Sequence, residues 1–254
     1  MKPQPTPVER AAQTAGRTGW QREIVRRVTR DSLLKGSSTM IGIALFFVAY
    51  FSVLRYPIGD VTTMPILALD RWLDFEFAAM PLYLSLWVYV SLGPALLPDR
   101  RTLLRYGIAC ALLSVVGLTL FLLWPTKVPP LTPEMAAEVA SHAGMTMLRG
   151  VDMSGNACPS LHVAFAVFAA SGIARELRAI GAPHWLRAVS LLWCAGIVYS
   201  TLATRQHVVL DALAGALLGA IVALLHARWE RGRVQSAKPA ATLPIRVRSA
   251  AGKP

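Results

Sequence analysis

Residues 106–126 read YGIACALLSVVGLTLFLLWPT, 21 consecutive positions without a charged side chain. The hydrocarbon core of a bilayer is about 30 Å thick, and a helix that rises about 1.5 Å per residue needs about 20 apolar residues to cross it. Lipid cannot hydrogen-bond the backbone, so a segment that spans the membrane must be helical. This stretch therefore predicts a transmembrane helix.

Further runs of the same character occur along the chain. They cover residues 36–54, 77–98, 153–174, 188–204 and 206–227, and the last is interrupted only by Asp211. Only 16% of the 254 residues are charged and 54% are hydrophobic, whereas a soluble domain has about 25% charged residues. The sequence predicts an all-α, polytopic membrane protein with six transmembrane helices in one bundle.

The positively charged residues are distributed unevenly between the segments that connect these runs. Of the 26 Lys and Arg residues, 21 lie in the two terminal segments and in the loops 99–105 and 175–187. The other five are Arg55, Arg71, Lys127, Arg149 and Arg205. Because Lys and Arg accumulate on the cytoplasmic side, we expect both termini in the cytoplasm. The connections 55–76, 127–152 and 204–206 are then expected outside, on the periplasmic side of a bacterial-type inner (plasma) membrane.

These patterns predict three regions along the chain. They are a basic cytoplasmic tail over 1–35, the six-helix membrane domain over 36–227, and a disordered basic tail over 228–254 that is rich in Ala, Pro, Arg and Lys. No nucleic-acid-binding motif accompanies the net charge of +12, so we expect no nucleic-acid partner. The three cysteines, Cys110, Cys158 and Cys194, fit neither a disulfide framework nor the paired spacing of a zinc site.

Two polar segments in the apolar runs are candidates for chemistry, because ionisable residues inside a membrane span are costly. Residues 156–162, NACPSLH, open the fourth run, and residues 205–211, RQHVVLD, open the sixth. In the predicted topology both segments lie at the extracytoplasmic ends of their helices. They are therefore expected to face one another.

His207 and Asp211 are four residues apart, so on a helix their side chains lie on one face and can touch. A carboxylate there can accept a hydrogen bond from one ring nitrogen and leave the other nitrogen as a base or nucleophile. His162, at the mouth of the other helix, can act as a proton donor. Two histidines and an orienting carboxylate suit reactions at an anionic tetrahedral group.

Several groups at the same end can hold an anion. Ser160 lies at an apparent helix start, where free N–H groups bind anions, and Arg205 and Lys127 can add positive charge. Each also has a purely structural interpretation: Ser160 can be only a helix cap, and the two cations can simply face lipid headgroups. The remaining histidines are interpreted as residues of the membrane boundary; they are His142, His184 and His226.

The segments NACPSLHVAFAV (156–167) and STLATRQHVVLDALAG (200–215) resemble the second and third signature motifs of the type 2 phosphatidic acid phosphatase superfamily. Their Cys-Pro-Ser-Leu-His and Arg-Gln-His-x-x-x-Asp forms are most similar to the inositolphosphotransferase branch, which includes inositol phosphorylceramide synthases. The superfamily's first motif, a Lys followed seven residues later by Arg-Pro, is missing after Lys127. Instead WPTKVPP (124–130) resembles the Pro-rich segment of that branch.

The resemblance implies phosphoryl transfer through a phosphohistidine without a metal or other cofactor. It makes His207 the nucleophile, Asp211 its orienting partner and His162 the acid that protonates the leaving oxygen. Ser160 and Arg205 match motif positions that hold phosphate oxygens, and Lys127 is a further candidate phosphate ligand.

The substrate implied is a lipid phosphate or diphosphate, and the acceptor is either water or an alcohol. We favour a lipid phosphatase over a lipid headgroup phosphotransferase, because water needs no additional binding site. Two other classes are weighed against this enzyme. A proton-coupled transporter would use the same ionisable residues, but inverted repeats are missing. An intramembrane zinc protease would need a motif such as H-E-x-x-H, which is also missing.

Overall fold

The computed structural model describes residues 19–142, 144 and 155–236, which are mainly helical. In chain order the helices are α1 (19–29), α2 (Ser32–Arg55), α3 (Ala68–Trp72), α4 (Met80–Leu84), α5 (Leu86–Ala95), α6 (Arg100–Leu123), α7 (Pro133–Ser141), α8 (Leu161–Ala179), α9 (His184–Ala203) and α10 (Val209–Ser236). A 3-10 turn, Phe77–Ala79, precedes α4, and the two short strands are β1 (Thr62–Thr63) and β2 (Thr126–Lys127).

Within the described residues, five helical segments are long and apolar enough to cross a membrane. They are Ser32–Arg55, Phe77–Ala95, Arg100–Leu123, His184–Ala203 and Val209–Gly232. The mainly helical fold is thus confirmed, and each of the five segments matches a predicted span. The remaining predicted span, 153–174, begins on residues outside the described part and continues as α8. Six spans, and the side on which the termini lie, stay predictions.

Helix α8 lies at the centre of the bundle, between two hydrophobic clusters. On one side Leu161 and Phe168 pack with residues of α2, α6 and α10. On the other side Ala166 and Ile173 pack with residues of α5 and α9. Helix α8 is therefore packed against other helices on both sides.

Several helices begin where a short polar side chain binds the free N–H groups of the first turn. The Asp99 carboxylate accepts the backbone N–H of Thr102 at 2.9 Å, which starts α6. The Thr132 hydroxyl accepts the backbone N–H of Met135 at the start of α7, where Pro133 occupies the first position. These caps satisfy donors that have no partner within the helix.

The predicted N-terminal tail, 1–35, is described from residue 19 onward, and there it is helical. In α1, Trp20 and Ile24 pack against the cluster between α5, α8 and α9. The Arg27 guanidinium donates to the Glu176 carboxylate at 2.6 Å and to the carbonyl of Leu96 at 3.2 Å. The described part of this segment is thus docked on the bundle, whereas residues 1–18 lie outside the described residues.

The predicted boundary between the membrane domain and the C-terminal tail, at residue 227, falls inside α10, which continues to Ser236. The Arg105 guanidinium lies 3.2 Å from the Glu230 carboxylate, so this part of α10 has an ion pair with α6. His226, predicted at the membrane boundary, is instead buried at 3% exposure beside Tyr106 and Phe168. Residues 237–254, for which disorder is predicted, lie outside the described residues.

Three connections between helices meet at one end of the bundle, which we call the site end. They are the segments that carry β1, β2 and residues 155–160. Strand β1 pairs in parallel with β2, and Lys127 forms a bridge with Gly155. The backbone N–H of Cys158 donates to the Thr126 hydroxyl at 2.8 Å. Segments from three distant parts of the sequence are therefore held together where α8 begins.

Candidate functional site

His207 lies in the tight turn between α9 and α10, and the end of α9 holds this turn. The backbone N–H groups of Gln206 and His207 both donate to the carbonyl of Thr201, at 3.1 and 3.0 Å. Arg205 has a positive φ of 55°, which reverses the chain between the two helices. His207 is thereby placed, buried, two residues before Val209, the first residue of α10.

The predicted pair of His207 and Asp211 forms. The distance from His207 Nδ1 to Asp211 Oδ2 is 3.1 Å, and the Asp211 side chain is fully buried. Because Nδ1 is bonded to the carboxylate, Nε2 is the ring nitrogen that can attack an electrophile. A buried carboxylate in this position fixes the tautomer and the orientation of the ring.

His162 is the second residue of α8, and its ring lies close to that of His207. The two ring centroids are 5.7 Å apart. The two imidazoles are therefore close enough to act on the same bound group. The structure thus brings together the three residues predicted to be catalytic, from two helices that are distant in sequence.

The two motifs are joined directly through their backbones. The backbone N–H of Ser160 donates to the carbonyl of Asp211 at 2.9 Å. A Cβ atom added to Gly215 would lie 2.2 Å from the carbonyl oxygen of Ser160, and one added to Gly219 would lie 2.3 Å from that of Ala164. Helices α8 and α10 therefore pack backbone to backbone, as small residues four apart allow in membrane helices.

The three predicted phosphate ligands are placed differently from one another. Ser160 is fully buried and its hydroxyl accepts the backbone N–H of Val163 at 3.3 Å, so in this structure it caps α8. Lys127 lies at the site end, where its carbonyl accepts the backbone N–H of Met64 at 2.9 Å. Its side chain is exposed, so its ammonium group is not fixed against the histidines.

Arg205 is anchored to the segment that carries α3. Its Nη1 donates to the carbonyl of Asp70 at 2.8 Å, and its Nη2 donates to the carbonyl of Leu73. The guanidinium therefore ties the turn before His207 to the connection between α2 and α4. The charge lies at the site end, as the sequence predicts, but its side-chain contacts are to backbone carbonyls.

Asp70, which is not among the residues predicted from the sequence, is buried at 2% exposure. Its Oδ1 accepts the backbone N–H of Val209, the first residue of α10, at 2.8 Å, and its Oδ2 accepts the backbone N–H of Leu67 at 2.8 Å. A carboxylate at a helix N-terminus satisfies a free donor and interacts favourably with the helix dipole. Asp70 thus fixes the start of the helix that bears Asp211.

Tyr83, whose hydroxyl lies 2.8 Å from His162 Nε2, is also not among the residues predicted from the sequence. One feature of the sequence could have pointed to Asp70: it is an acidic residue in the connection 55–76, between two predicted spans. No comparable signal marked Tyr83, because an aromatic residue in an apolar run is ordinary. Both contacts join residues more than 70 positions apart, so local spacing does not indicate them.

His162 and His207 lie at the N-terminal ends of α8 and α10, where the helix dipoles favour negative charge. Among the described residues, no three His, Cys, Asp or Glu side chains are grouped as metal ligands would be. All three cysteines of the chain are free thiols.

Comparison with known families gives one match. The model of the PAP2 superfamily, the type 2 phosphatidic acid phosphatases, matches residues 64–225. This range extends from the β1 segment to the middle of α10 and contains both histidines and Asp211. No curated protein and no solved structure matches the chain significantly.

Proposed function

The chain belongs to the PAP2 superfamily, and we propose that it is an integral membrane lipid phosphatase that works through a phosphohistidine. Members of the superfamily are phosphoric ester hydrolases or phosphotransferases, so the chain is a membrane enzyme of this general type. The superfamily resemblance seen in the sequence is thus confirmed, whereas the inositolphosphotransferase branch stays a prediction. The lipid substrate and the covalent intermediate are our proposal.

One observation carries the proposal: His207 is oriented by a buried carboxylate and faces a second histidine at 5.7 Å. In the first step, the lone pair of His207 Nε2 attacks phosphorus while the bond from phosphorus to the leaving oxygen breaks. The leaving oxygen takes the electron pair of that bond and a proton from His162. The product is a phosphohistidine and a lipid alcohol.

The second step reverses these roles. Water gives a proton to His162 and attacks phosphorus, the N–P bond breaks, and its electron pair returns to His207. Inorganic phosphate leaves and His162 is again protonated. Neither step needs a metal, because phosphoryl transfer depends mainly on positioning and on stabilisation of charge at the phosphoryl oxygens. Arg205, Ser160 and Lys127 are proposed to assist that stabilisation, together with the N-termini of α8 and α10.

An alcohol could replace water in the second step, which would make the protein a lipid headgroup phosphotransferase. The observation that favours this alternative is the Cys158-Pro159-Ser160-Leu161-His162 form of the second motif, which resembles the inositolphosphotransferase branch. His162 would deprotonate the alcohol as it deprotonates water. We propose hydrolysis first, because the alcohol needs a binding site of its own.

The reaction is tested with purified protein, a panel of lipid phosphates and diphosphates, and EDTA, with and without inositol or other alcohols. We expect free phosphate to be released in EDTA, at a rate that alcohols do not raise. A headgroup-transfer product that forms only with an alcohol would establish the transferase instead. No reaction with the whole panel would contradict both proposals and favour the transporter.

We propose that the site end faces the periplasm, because 21 of the 26 Lys and Arg residues lie in the terminal segments and in the loops 99–105 and 175–187. The proposal predicts that Ser141→Cys, at the exposed end of α7, reacts with a membrane-impermeant maleimide in intact cells. Arg178→Cys, at the exposed far end of α8, should react only after permeabilisation. The unsubstituted protein is the background control, since Cys158 and Cys194 are buried. The opposite labelling pattern would place the chemistry in the cytoplasm.

A further inference from the structure

Tyr83 makes a close side-chain contact with His162. Its hydroxyl lies 2.8 Å from His162 Nε2, and the two rings are stacked with centroids 4.8 Å apart and planes 28° from parallel. The tyrosine is buried at 2% exposure. It therefore faces the site and not lipid.

The surroundings of α4 fix the position of this tyrosine. Before the helix, the backbone N–H of Glu76 donates to the carbonyl of Ala203, at the end of α9, at 2.9 Å. After the helix, the hydroxyl of Ser85 accepts the indole N–H of Trp193, also on α9, at 2.8 Å. Tyr83 lies between these two anchors, so its hydroxyl is held at a constant place relative to the site.

The two histidines of the site have partners of different charge. His207 is bonded through Nδ1 to the carboxylate of Asp211, which stabilises positive charge on the ring. His162 is bonded through Nε2 to a phenol, which carries no charge. A ring that must give up its proton in one step and take it back in the next is served by a neutral partner, which orients it without retaining the proton.

We propose that Tyr83 is a positioning residue for His162: its hydroxyl holds Nε2, so that Nδ1 exchanges the proton with the leaving oxygen and then with water. The inference rests on the proposed phosphatase function. In the first step the proton passes from His162 Nδ1 to the leaving oxygen as the P–O bond breaks. In the second step water returns a proton to the same nitrogen as the N–P bond breaks.

The test is Tyr83→Phe, which removes the hydroxyl and keeps the ring. It compares dodecyl phosphate, whose alkoxide must be protonated as it leaves, with p-nitrophenyl phosphate, whose phenolate leaves without a proton. General acid catalysis contributes about 10²- to 10⁴-fold to a rate. We expect kcat/KM for dodecyl phosphate, which reports the step that forms the phosphohistidine, to fall by about 10- to 100-fold, as part of that contribution. The value of kcat/KM for p-nitrophenyl phosphate should change by less than about threefold, because its first step needs no proton.

The ratio of kcat/KM for dodecyl phosphate to kcat/KM for p-nitrophenyl phosphate is measured on one preparation. It therefore does not depend on the fraction of protein that is folded. Tyr89→Phe is the matched control, because Tyr89 is also buried and its hydroxyl is bonded to Ser190 at 2.9 Å, away from the histidines. Its rate ratio should equal that of the unsubstituted protein. Equal losses of kcat/KM on both substrates for Tyr83→Phe, or no loss, would overturn the inference while the phosphatase proposal stands. Absence of hydrolysis by the unsubstituted protein would overturn both.

Discussion

A His207→Ala variant should lose phosphate release by on the order of 10⁴-fold or more, because it removes the proposed nucleophile. His207 Nδ1 is committed to Asp211 at 3.1 Å, which leaves Nε2 as the attacking atom. The measurement is the initial rate of phosphate release from the best lipid substrate in EDTA. Acid-labile, base-stable phosphate on the protein should disappear with the same substitution.

His184→Ala is the matched control for this loss. His184 is exposed at the start of α9, at the opposite end of that helix from His207. Its rate should stay within about twofold of the unsubstituted protein, since surface changes away from a site have small effects. Normal turnover by His207→Ala would disprove the phosphohistidine mechanism, whatever the substrate.

A Gly215→Ala variant should lose both stability and activity. Its new Cβ would lie 2.2 Å from the carbonyl oxygen of Ser160, so α8 and α10 must separate by about 1 Å to restore ordinary contact. Overpacking of this kind costs about 1–3 kcal/mol, or about 2–4 °C in the unfolding midpoint for each kcal/mol. Because the shift separates His162 from His207, the rate of the folded protein should fall by about 100-fold.

Thermal unfolding in detergent and phosphate release per folded protein measure these two effects. Gly232→Ala is the matched control, because it lies in the same helix and a Cβ there meets nothing within 4 Å. Replacing glycine by alanine at such an open helical position should be neutral or stabilising. If Gly215→Ala were as stable and active as Gly232→Ala, the close packing of Gly215 against the Ser160 carbonyl would be disproved.

The membrane-type helices and the His207–Asp211 pair could be predicted because both depend on local properties of the chain. Length and hydropathy determine whether a segment can cross a bilayer, and a spacing of four residues brings two side chains close together. The pair forms at that spacing although His207 lies in the turn before α10 and not on the helix itself. The burial of His226 could not be predicted in this way. Its environment depends on Tyr106 and Phe168, which belong to α6 and α8.

The phosphate ligands show the same limit. Sequence motifs and charge placed Ser160, Arg205 and Lys127 at one end of the bundle, and the structure places them there. The direction of each side chain was not predictable, because it depends on neighbours in other segments. Ser160 caps its own helix, and Arg205 binds the carbonyls of Asp70 and Leu73.

The sequence by itself thus determined the helical class and the superfamily, and it predicts the two histidines and the carboxylate as site residues. Only the tertiary structure decided that His162 and His207 face one another at 5.7 Å, that Tyr83 holds the first, and that Asp70 fixes the helix of the second. The physical reason is that the two kinds of feature depend on interactions of different range along the sequence. Helix formation and i, i+4 contacts depend on residues a turn apart, whereas the site depends on the close approach of two helix backbones at Gly215 and Gly219, once the helices have packed.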